Sequence, residues 1–457
     1  MATTTTRKLF GTDGVRGVAG GLLTAELAVA LGHAAATAAD APRPQVLIVR
    51  DTRESGPMLE SALAAGVAQG GGDAWLGGVL PTPAASILVR RLGLDVAAVV
   101  SASHNPWRDN GIKFFGPDGR KLDDATEERM ESFVWAYLRG PDEIGGVDEE
   151  RATTTDIGRV RVLEGALDDY LRELAATFRI DLSGTHVLLD CAHGATHRAG
   201  PAIFERLGAR VEAIGREPDG RNINDGCGST HPEHLAEEIA RVGADIGFSF
   251  DGDGDRVIAV DRNGAIHDGD ELIALSAHHL AQDSRLDGGV VVTVMTNFGF
   301  HRAMSDAGIE VETTDVGDRH VIAALEQREW TLGGEQSGHI IWREFAPTGD
   351  GIGAALLTMQ ALGGRDLAET QPIERLPQVL RNVEVADRDA VGDATELWSA
   401  VDRENAMLEG RGRVLVRPSG TEPVVRVMVE APDATEATAV CDRLISVVER
   451  ELDGRER

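Results

Sequence analysis

Apolar, β-rich runs alternate along the chain with alanine- and leucine-rich stretches of helical character. Residues 45–49 predict a strand, 58–69 a helix and 96–100 a buried strand; 187–189 and 290–294 are further strands, each followed by a polar or glycine-bearing loop. Short continuous apolar runs bounded by turn residues suit strands covered on both faces, and their alternation with helices predicts α/β layers with parallel or mixed sheets.

The pattern repeats. Gly93-Leu94-Asp95 precedes an apolar run that leads into Ser101-Ala102-Ser103, and Gly243-Ala244-Asp245 precedes one that leads into Asp251-Gly252-Asp253. Upstream of each, a glycine turn opens another strand, at 72–76 and 208–212. Residues 308–312 start a third copy, with 330–332 as the matching strand before Gly333-Gly334-Glu335. Self-similarity of this kind predicts homologous structural units. An acidic, glycine-bearing stretch at 140–158, a second near 261–269 and a third at 363–377 divide the chain into 1–155, 156–260, 261–370 and 371–457. The last segment, with strand-like runs at 413–416 and 424–429 and a helix at 434–451, reads as a smaller α+β domain.

Composition narrows the function. The 457 residues include 75 Asp and Glu against 45 Lys and Arg, a formal charge of −30. A nucleic-acid partner or an anionic membrane surface calls for basic patches, so both are excluded as partners. The amino terminus has no apolar core of about 7–15 residues, and no run approaches the roughly 18 needed to span a bilayer. Cys191, Cys227 and Cys441 are far apart and form no CxxC pair, so the expectation is a cytoplasmic protein without a disulfide framework. Lysine occurs only at Lys8, Lys113 and Lys121.

Several loops carry chemistry. Ser101-Ala102-Ser103-His104-Asn105-Pro106 follows a buried strand, where α/β folds expose a ligand-binding edge. Lys113, ten residues on, suits charge screening of a phosphorylated serine, or proton transfer if its pKa falls. A polar turn accounts for the same residue types. Asp251-Gly252-Asp253-Gly254-Asp255-Arg256 places three carboxylates at alternate positions, and glycine lets them converge on one hard cation. Mg²⁺ suits a site with few protein ligands and a phosphate as a further ligand. An EF-hand does not fit, because Arg256 and Arg262 stand where that loop needs Gly and Glu. A solvated acidic turn and an aspartate-nucleophile phosphatase, whose Asp-x-Asp spacing Asp251 and Asp253 match, remain alternatives. Residues 333–339 combine Glu335, Ser337 and His339 with glycine, a set suited to hydrogen bonding a polyol, or a simple glycine-rich turn. Arg417, Ser419, Gly420, Thr421 and Arg426 make a candidate phosphate cradle. Residues 10–17 form another glycine-rich loop, with Arg16. Asp51-Thr52-Arg53 is either one more polar loop or a helix start capped by Thr52 or Ser55.

Taken together, Ser-His-Asn-Pro at 103–106, Asp-Gly-Asp-Gly-Asp-Arg at 251–256 and Ser-Gly-Thr-Glu-Pro at 419–423 resemble the α-D-phosphohexomutase superfamily, from Phe10 to Arg426 and in the superfamily's order. Residues 10–17, 101–121, 222–224, 227–233, 316–319 and 333–339 are most similar to its bacterial phosphoglucosamine mutase branch. The resemblance implies three homologous α/β mixed-sheet domains plus a smaller α+β domain around a central active-site cleft. It implies interconversion of glucosamine 6-phosphate and glucosamine 1-phosphate through a phosphoserine enzyme and a 1,6-bisphosphate intermediate. Phosphomannomutase/phosphoglucomutase activity is the alternative within the superfamily, and an aspartate-nucleophile phosphatase or a non-enzymatic calcium- or sugar-binding protein the alternatives outside it.

By the same resemblance, Ser103 is the phosphoserine, and Asp251, Asp253 and Asp255 hold one Mg²⁺ per subunit with the Ser103 phosphate. Glu335 and Ser337 bind sugar hydroxyls, while Arg417, Ser419, Gly420, Thr421 and Arg426 grip the phosphate that is not transferred. Arg16, His104, Lys113, Arg256 and His339 stabilise charge or move protons. A hexose 1,6-bisphosphate is the expected activator, a phosphosugar the only expected partner, and the expected assembly a monomer or homodimer. His193, Val49 and His320 depart from the common pattern, where Asn, Gly and Tyr are more usual. An anionic substrate and an acidic chain together predict a locally basic cleft, built from Arg16, Lys113, Arg256, Arg417 and Arg426.

Overall fold

The computed structural model describes residues 9–11, 13–139, 156–419, 423–452 and 455–456. Most of the linker expected at 140–158, and the predicted site residues Gly420 and Thr421, lie outside the described residues. No described helix is long and apolar enough to cross a membrane.

The repeat is structural. One sheet contains strands Gln45–Arg50, Asp73–Val79, Val96–Val100 and Asp109–Phe115; a second contains His186–Asp190, Arg210–Ile214, Ile246–Phe250 and Val257–Asp261; a third contains Val290–Thr293, Val311–Thr314, Leu332–Gly334 and Ile340–Trp342. In every copy the first strand lies parallel between the second and third, and the fourth runs antiparallel beside the third. The first sheet gains Val15–Val18 against Asp109–Phe115 and Val160–Val162 beyond Asp73–Val79; the second gains Ile266–His267.

The Gly-x-Asp signature has a physical reason. Gly93 and Gly243, at φ +63° and +69°, follow the helices Thr82–Arg91 and Pro232–Val242 in the left-handed conformation that glycine adopts without strain. The aspartate two residues on then ties the third strand to the first. The Asp95 carboxylate accepts the Gln45 N–H and the Asp245 carboxylate the His186 N–H, both at 2.8 Å. The first two copies thus fix their register with the same side chain.

The strands Val96–Val100 and Ile246–Phe250 are buried throughout. In the first copy, helices Ala25–Ala38 and Gly56–Gln69 pack together and bury Leu31 and Leu63 against Ile48 and Ala98. Pro57, Pro83 and Pro232 sit in first helical turns, where a missing N–H costs nothing.

The chain divides into two compact units, residues 1–295 with 310–371 and residues 296–309 with 372–457. The second unit is built on an antiparallel sheet ordered Arg413–Pro418, Val424–Glu430, Gln378–Glu384, Arg455–Glu456. Helices Thr395–Leu408 and Ala434–Glu451 bury Leu397 and Leu444 with Val383 and Val427. Helix Phe298–Asp306 belongs to this unit through Glu430, whose fully buried carboxylate accepts from Phe298 N–H, Asn297 Nδ2 and Arg413 Nε.

Candidate active site

The third-to-fourth-strand connection is the chemically loaded loop in all three copies: residues 101–108, 251–256 and 335–339. Each therefore leaves the carboxyl end of a central strand, the edge at which open α/β sheets bind ligands. Within the first unit the loops converge on a cavity of about 410 Å³. Ser103, His104, Asp255, Arg256, Glu335, Ser337 and His339 line it, joined by Asp13 and Arg16 from the amino-terminal loop and by Gly317 and Asp318.

Ser103 is 2 % exposed and adopts φ +52°, a left-handed conformation that costs a non-glycine residue about 1–2 kcal/mol. Its Oγ donates to Asp251 Oδ2 at 2.5 Å and lies 3.4 Å from His104 Nδ1. Gly252 permits this approach, since a Cβ there would fall 2.6 Å from the Ser103 carbonyl oxygen. Ser101 is turned away from the cavity wall, with its Oγ donating to Asp51 at 2.6 Å.

Asp251, Asp253 and Asp255 are all buried, with one oxygen from each within 4.8 Å of the others. Among the described residues this is the only group of three or more His, Cys, Asp or Glu so arranged. Buried Asp253 Oδ1 and Asp255 Oδ1 accept no hydrogen bond. Buried lone pairs left in this state are costly, and a hard cation satisfies them. Burial, reinforced by Asp255 and Asp253, pushes the Asp251 carboxyl well above the usual carboxylate range. The donor set thus fits a small divalent metal ion.

Cations surround the triad. Lys113 lies beneath the cavity wall, 3 % exposed, with Nζ 2.8 Å from Asp253 Oδ2, 3.4 Å from Asp13 and 3.7 Å from Asp255. Burial favours its neutral form, but the carboxylates of Asp13, Asp253 and Asp255 outweigh that and hold its pKa up. The fall in pKa on which proton transfer by Lys113 depended does not occur in this arrangement; the lysine is a fixed positive charge. Burial, with Arg256 and Arg16, pushes the His104 imidazole down to about 4. His339 lies 3.7 Å from Asp255 and 3.9 Å from Asp318, and its Nε2 lies 3.2 Å from the Gly349 N–H. In the third loop Glu335 Oε1 accepts the Gly317 N–H at 3.0 Å, and Ser337 is exposed at the wall.

The second unit carries the predicted phosphate loop. Arg417 and Arg426 are directly paired across strands Arg413–Pro418 and Val424–Glu430, so their side chains share a face. Ser419 N–H closes the hairpin on Val424 O at 2.8 Å, and Arg388 Nη1 donates to Ser419 O at 2.8 Å.

Two details go beyond the simplest reading of the sequence. Thr52 and Ser55 do not cap the following helix: Thr52 Oγ1 donates to His193 O at 2.5 Å, and Ser55 at the N-cap makes no side-chain capping bond. The cavity wall is also not uniformly basic, because Asp13, Asp255, Asp318 and Glu335 stand beside Arg16, Arg256 and His339. Part of the compensating charge lies below the wall, on Lys113 and on a residue given no role above, Lys121.

Lys121 Nζ contacts Asp13 Oδ1 and Asp318 Oδ2, both at 2.5 Å, and joins the first repeat to the third. The scarcity of lysine was its one sequence signal, since both described lysines converge on Asp13. Replacing Lys121 by methionine leaves two mostly buried carboxylates short of a cation and is expected to cost about 3 kcal/mol of stability in denaturant unfolding. A loss below about 0.5 kcal/mol would mark the pair as a surface contact.

Comparison with known proteins agrees with this architecture. Family models described as phosphoglucomutase/phosphomannomutase alpha/beta/alpha domains I, II and III match residues 7–138, 168–264 and 268–379, and the model of the C-terminal domain matches 380–447. The chain belongs to the phosphoglucomutase/phosphomannomutase family: it is a phosphohexomutase, an isomerase. It is similar to a phosphoglucosamine mutase of Moorella thermoacetica, 49 % identical over 94 % of this chain and 96 % of that one. A phosphoglucosamine mutase of Mycolicibacterium gilvum is 50 % identical over 97 % of this chain and 99 % of that one. Among solved structures, a phosphoglucomutase/phosphomannomutase family protein of Burkholderia thailandensis superposes with a TM-score of 0.79 at 23 % identity, covering 97 % of each chain.

Proposed function

We propose that this chain interconverts glucosamine 6-phosphate and glucosamine 1-phosphate, with Ser103 as the phosphoryl carrier. The observation that carries the reading is the placement of Ser103 Oγ, 2.5 Å from a buried carboxylate triad and at the wall of a cavity that also presents Glu335 and Ser337. Near 50 % identity to two phosphoglucosamine mutases over almost the whole chain supports the choice of sugar.

Phosphorylated Ser103 gives its phosphoryl group to the free 1-hydroxyl of glucosamine 6-phosphate. The bond between phosphorus and Ser103 Oγ breaks, a bond from phosphorus to the sugar O1 forms, the hydroxyl proton leaves O1 and Oγ regains a proton. The resulting 1,6-bisphosphate turns over, and Ser103 takes back the 6-phosphoryl by the reverse exchange. A hexose 1,6-bisphosphate loads Ser103 in the same way. Asp251, Asp253 and Asp255 would hold Mg²⁺, the Ser103 phosphate serving as a further ligand. Bound there, Mg²⁺ offsets negative charge on the phosphoryl oxygens.

The chain's own residues do the rest. Arg256, Arg16 and Lys113 supply fixed positive charge around the transferred group, the main source of phosphoryl-transfer catalysis. His104, held neutral near pH 7, and His339 are the proton-handling groups nearest Ser103 and Asp255. Glu335 and Ser337 orient the ring by its hydroxyls. Arg417, Ser419, Gly420, Thr421 and Arg426 hold the phosphate at rest; arginine forks recognise phosphate whichever end of the sugar carries it.

A competition assay with glucosamine, glucose and mannose 6-phosphates tests the sugar. The expected result is a kcat/KM for glucosamine 6-phosphate at least about tenfold above the others, the reach of one or two added hydrogen bonds. Equal or faster turnover of glucose or mannose 6-phosphate would make the chain a phosphoglucomutase/phosphomannomutase in activity.

A further inference from the structure

Arg53 is among the most deeply buried charged residues of the chain, with a side chain 0 % exposed, and no sugar, phosphate or metal role accounts for it. Each of its five side-chain N–H donors has an acceptor. Nε pairs with Asp51 Oδ2 at 2.8 Å. Nη2 donates to the carbonyl oxygens of Ser103 and Asn105, at 2.8 and 2.9 Å. Nη1 donates to those of Asp109, at 2.9 Å, and Pro106. One guanidinium therefore gathers three carbonyls of the loop that presents Ser103 and that of Asp109, which opens the following strand.

The aspartate continues the network. Asp51 Oδ1 accepts the Arg53 N–H at 2.9 Å, and Oδ2 also accepts from Ser101 Oγ. Ser101 Oγ in turn accepts the Ser103 N–H at 3.0 Å. From the second repeat, Asn224 Nδ2 donates to Ser103 O at 2.9 Å and Asn105 O at 3.2 Å. Both peptide groups flanking the Ser103 Cα are thus held, the N–H through Ser101 and Asp51, the carbonyl by Arg53 and Asn224. A residue at φ +52° relaxes to negative φ unless its surroundings over-determine it. Relaxation would swing Oγ away from Asp251.

We propose that Asp51 and Arg53 are positioning residues for the reaction: they hold Ser103 in its left-handed conformation so that Oγ faces the carboxylate triad and the cavity. Neither lines the cavity, and neither belongs to the carboxylate triad. The proposal rests on the reading of Ser103 as phosphoryl carrier. A lysine would not serve, because it has three donors at one point and cannot span four separated carbonyls.

The test is Arg53→Lys, measured as single-turnover transfer from labelled phosphoserine to glucosamine 6-phosphate, with the rate normalised to the phosphoserine present. This normalisation removes any effect of a smaller folded fraction. The expected rate is 10- to 100-fold below wild type, while the Kd for glucosamine 6-phosphate changes less than about threefold, as misplacement of a reacting atom by a fraction of an ångström predicts. A normalised rate within twofold of wild type overturns the proposal. If Arg53→Lys does not fold, Ser101→Ala removes the hydroxyl between Asp51 and the Ser103 N–H and leaves the buried ion pair intact. Its normalised rate is expected to fall three- to tenfold, and an unchanged rate overturns the proposal. Absence of phosphoserine from the wild-type chain overturns the reading of Ser103 along with it, whereas normal wild-type transfer with unaffected variants removes the clamp alone.

Discussion

Replacing Ser103 by alanine is expected to lower turnover of glucosamine 6-phosphate by at least about a thousandfold, since it removes the proposed phosphoryl carrier. The backbone of the loop has good reason to survive. Arg53, Asn224 and Ser101 hold it through main-chain groups, none of which involves the Ser103 hydroxyl. Removing Oγ also leaves Asp251 Oδ2 without its 2.5 Å donor, so metal affinity should hold or rise relative to the unphosphorylated wild type while activity disappears. Steady-state kinetics together with a Mg²⁺ titration separates these effects. Retention of full mutase turnover by the alanine variant would place the carrier elsewhere.

The second large effect concerns the triad. Asp251→Asn keeps the shape of the side chain and removes one of three carboxylates within 4.8 Å. Lys113 and Arg256 stand against three carboxylates; against two they cancel the negative charge, and a divalent cation is both less attracted and less well coordinated. The expected result is a Mg²⁺ affinity at least about tenfold weaker and turnover at least about a hundredfold lower at saturating metal, of the size seen when a preorganised electrostatic partner is removed. Calorimetric Mg²⁺ binding and kcat at saturation check the two parts independently. Wild-type affinity in the variant would remove Asp251 from the ligand set.

Much of this was legible because it is local. The strand at 96–100 and the helix at 434–451 coincide with Val96–Val100 and Ala434–Glu451, since burial on both faces and amphipathic spacing leave short-range patterns. The three-fold repeat was legible for a sharper reason. Gly93 and Asp95 do the same mechanical jobs as Gly243 and Asp245, ending a helix and fixing a register. The loops carrying Ser103, Asp251 and Glu335 stood out because polar residues packed after a buried strand have few structural uses.

Long-range partnerships left no such trace. Arg53 lies 50 positions from Ser103, and Asp51-Thr52-Arg53 looks locally like a helix start, so its clamp on the loop was invisible. Lys121 reaches Asp13 across 108 positions and Asp318 across 197. The acidic neighbours of the site were missed for the same reason. Counting arginines in motifs predicted a basic cleft, while the fold brings Asp13 and Asp318 to its wall and sets their counter-charge beneath it.

The most direct measurement is the position of the phosphoryl group after incubation with labelled hexose 1,6-bisphosphate, read by peptide mapping before and after hydroxylamine. The account predicts label on the peptide containing Ser103, stable to hydroxylamine as a serine ester is. Label on Asp251 or Asp253, released by hydroxylamine as an acyl phosphate is, would contradict it and turn the triad from a metal site into a nucleophile.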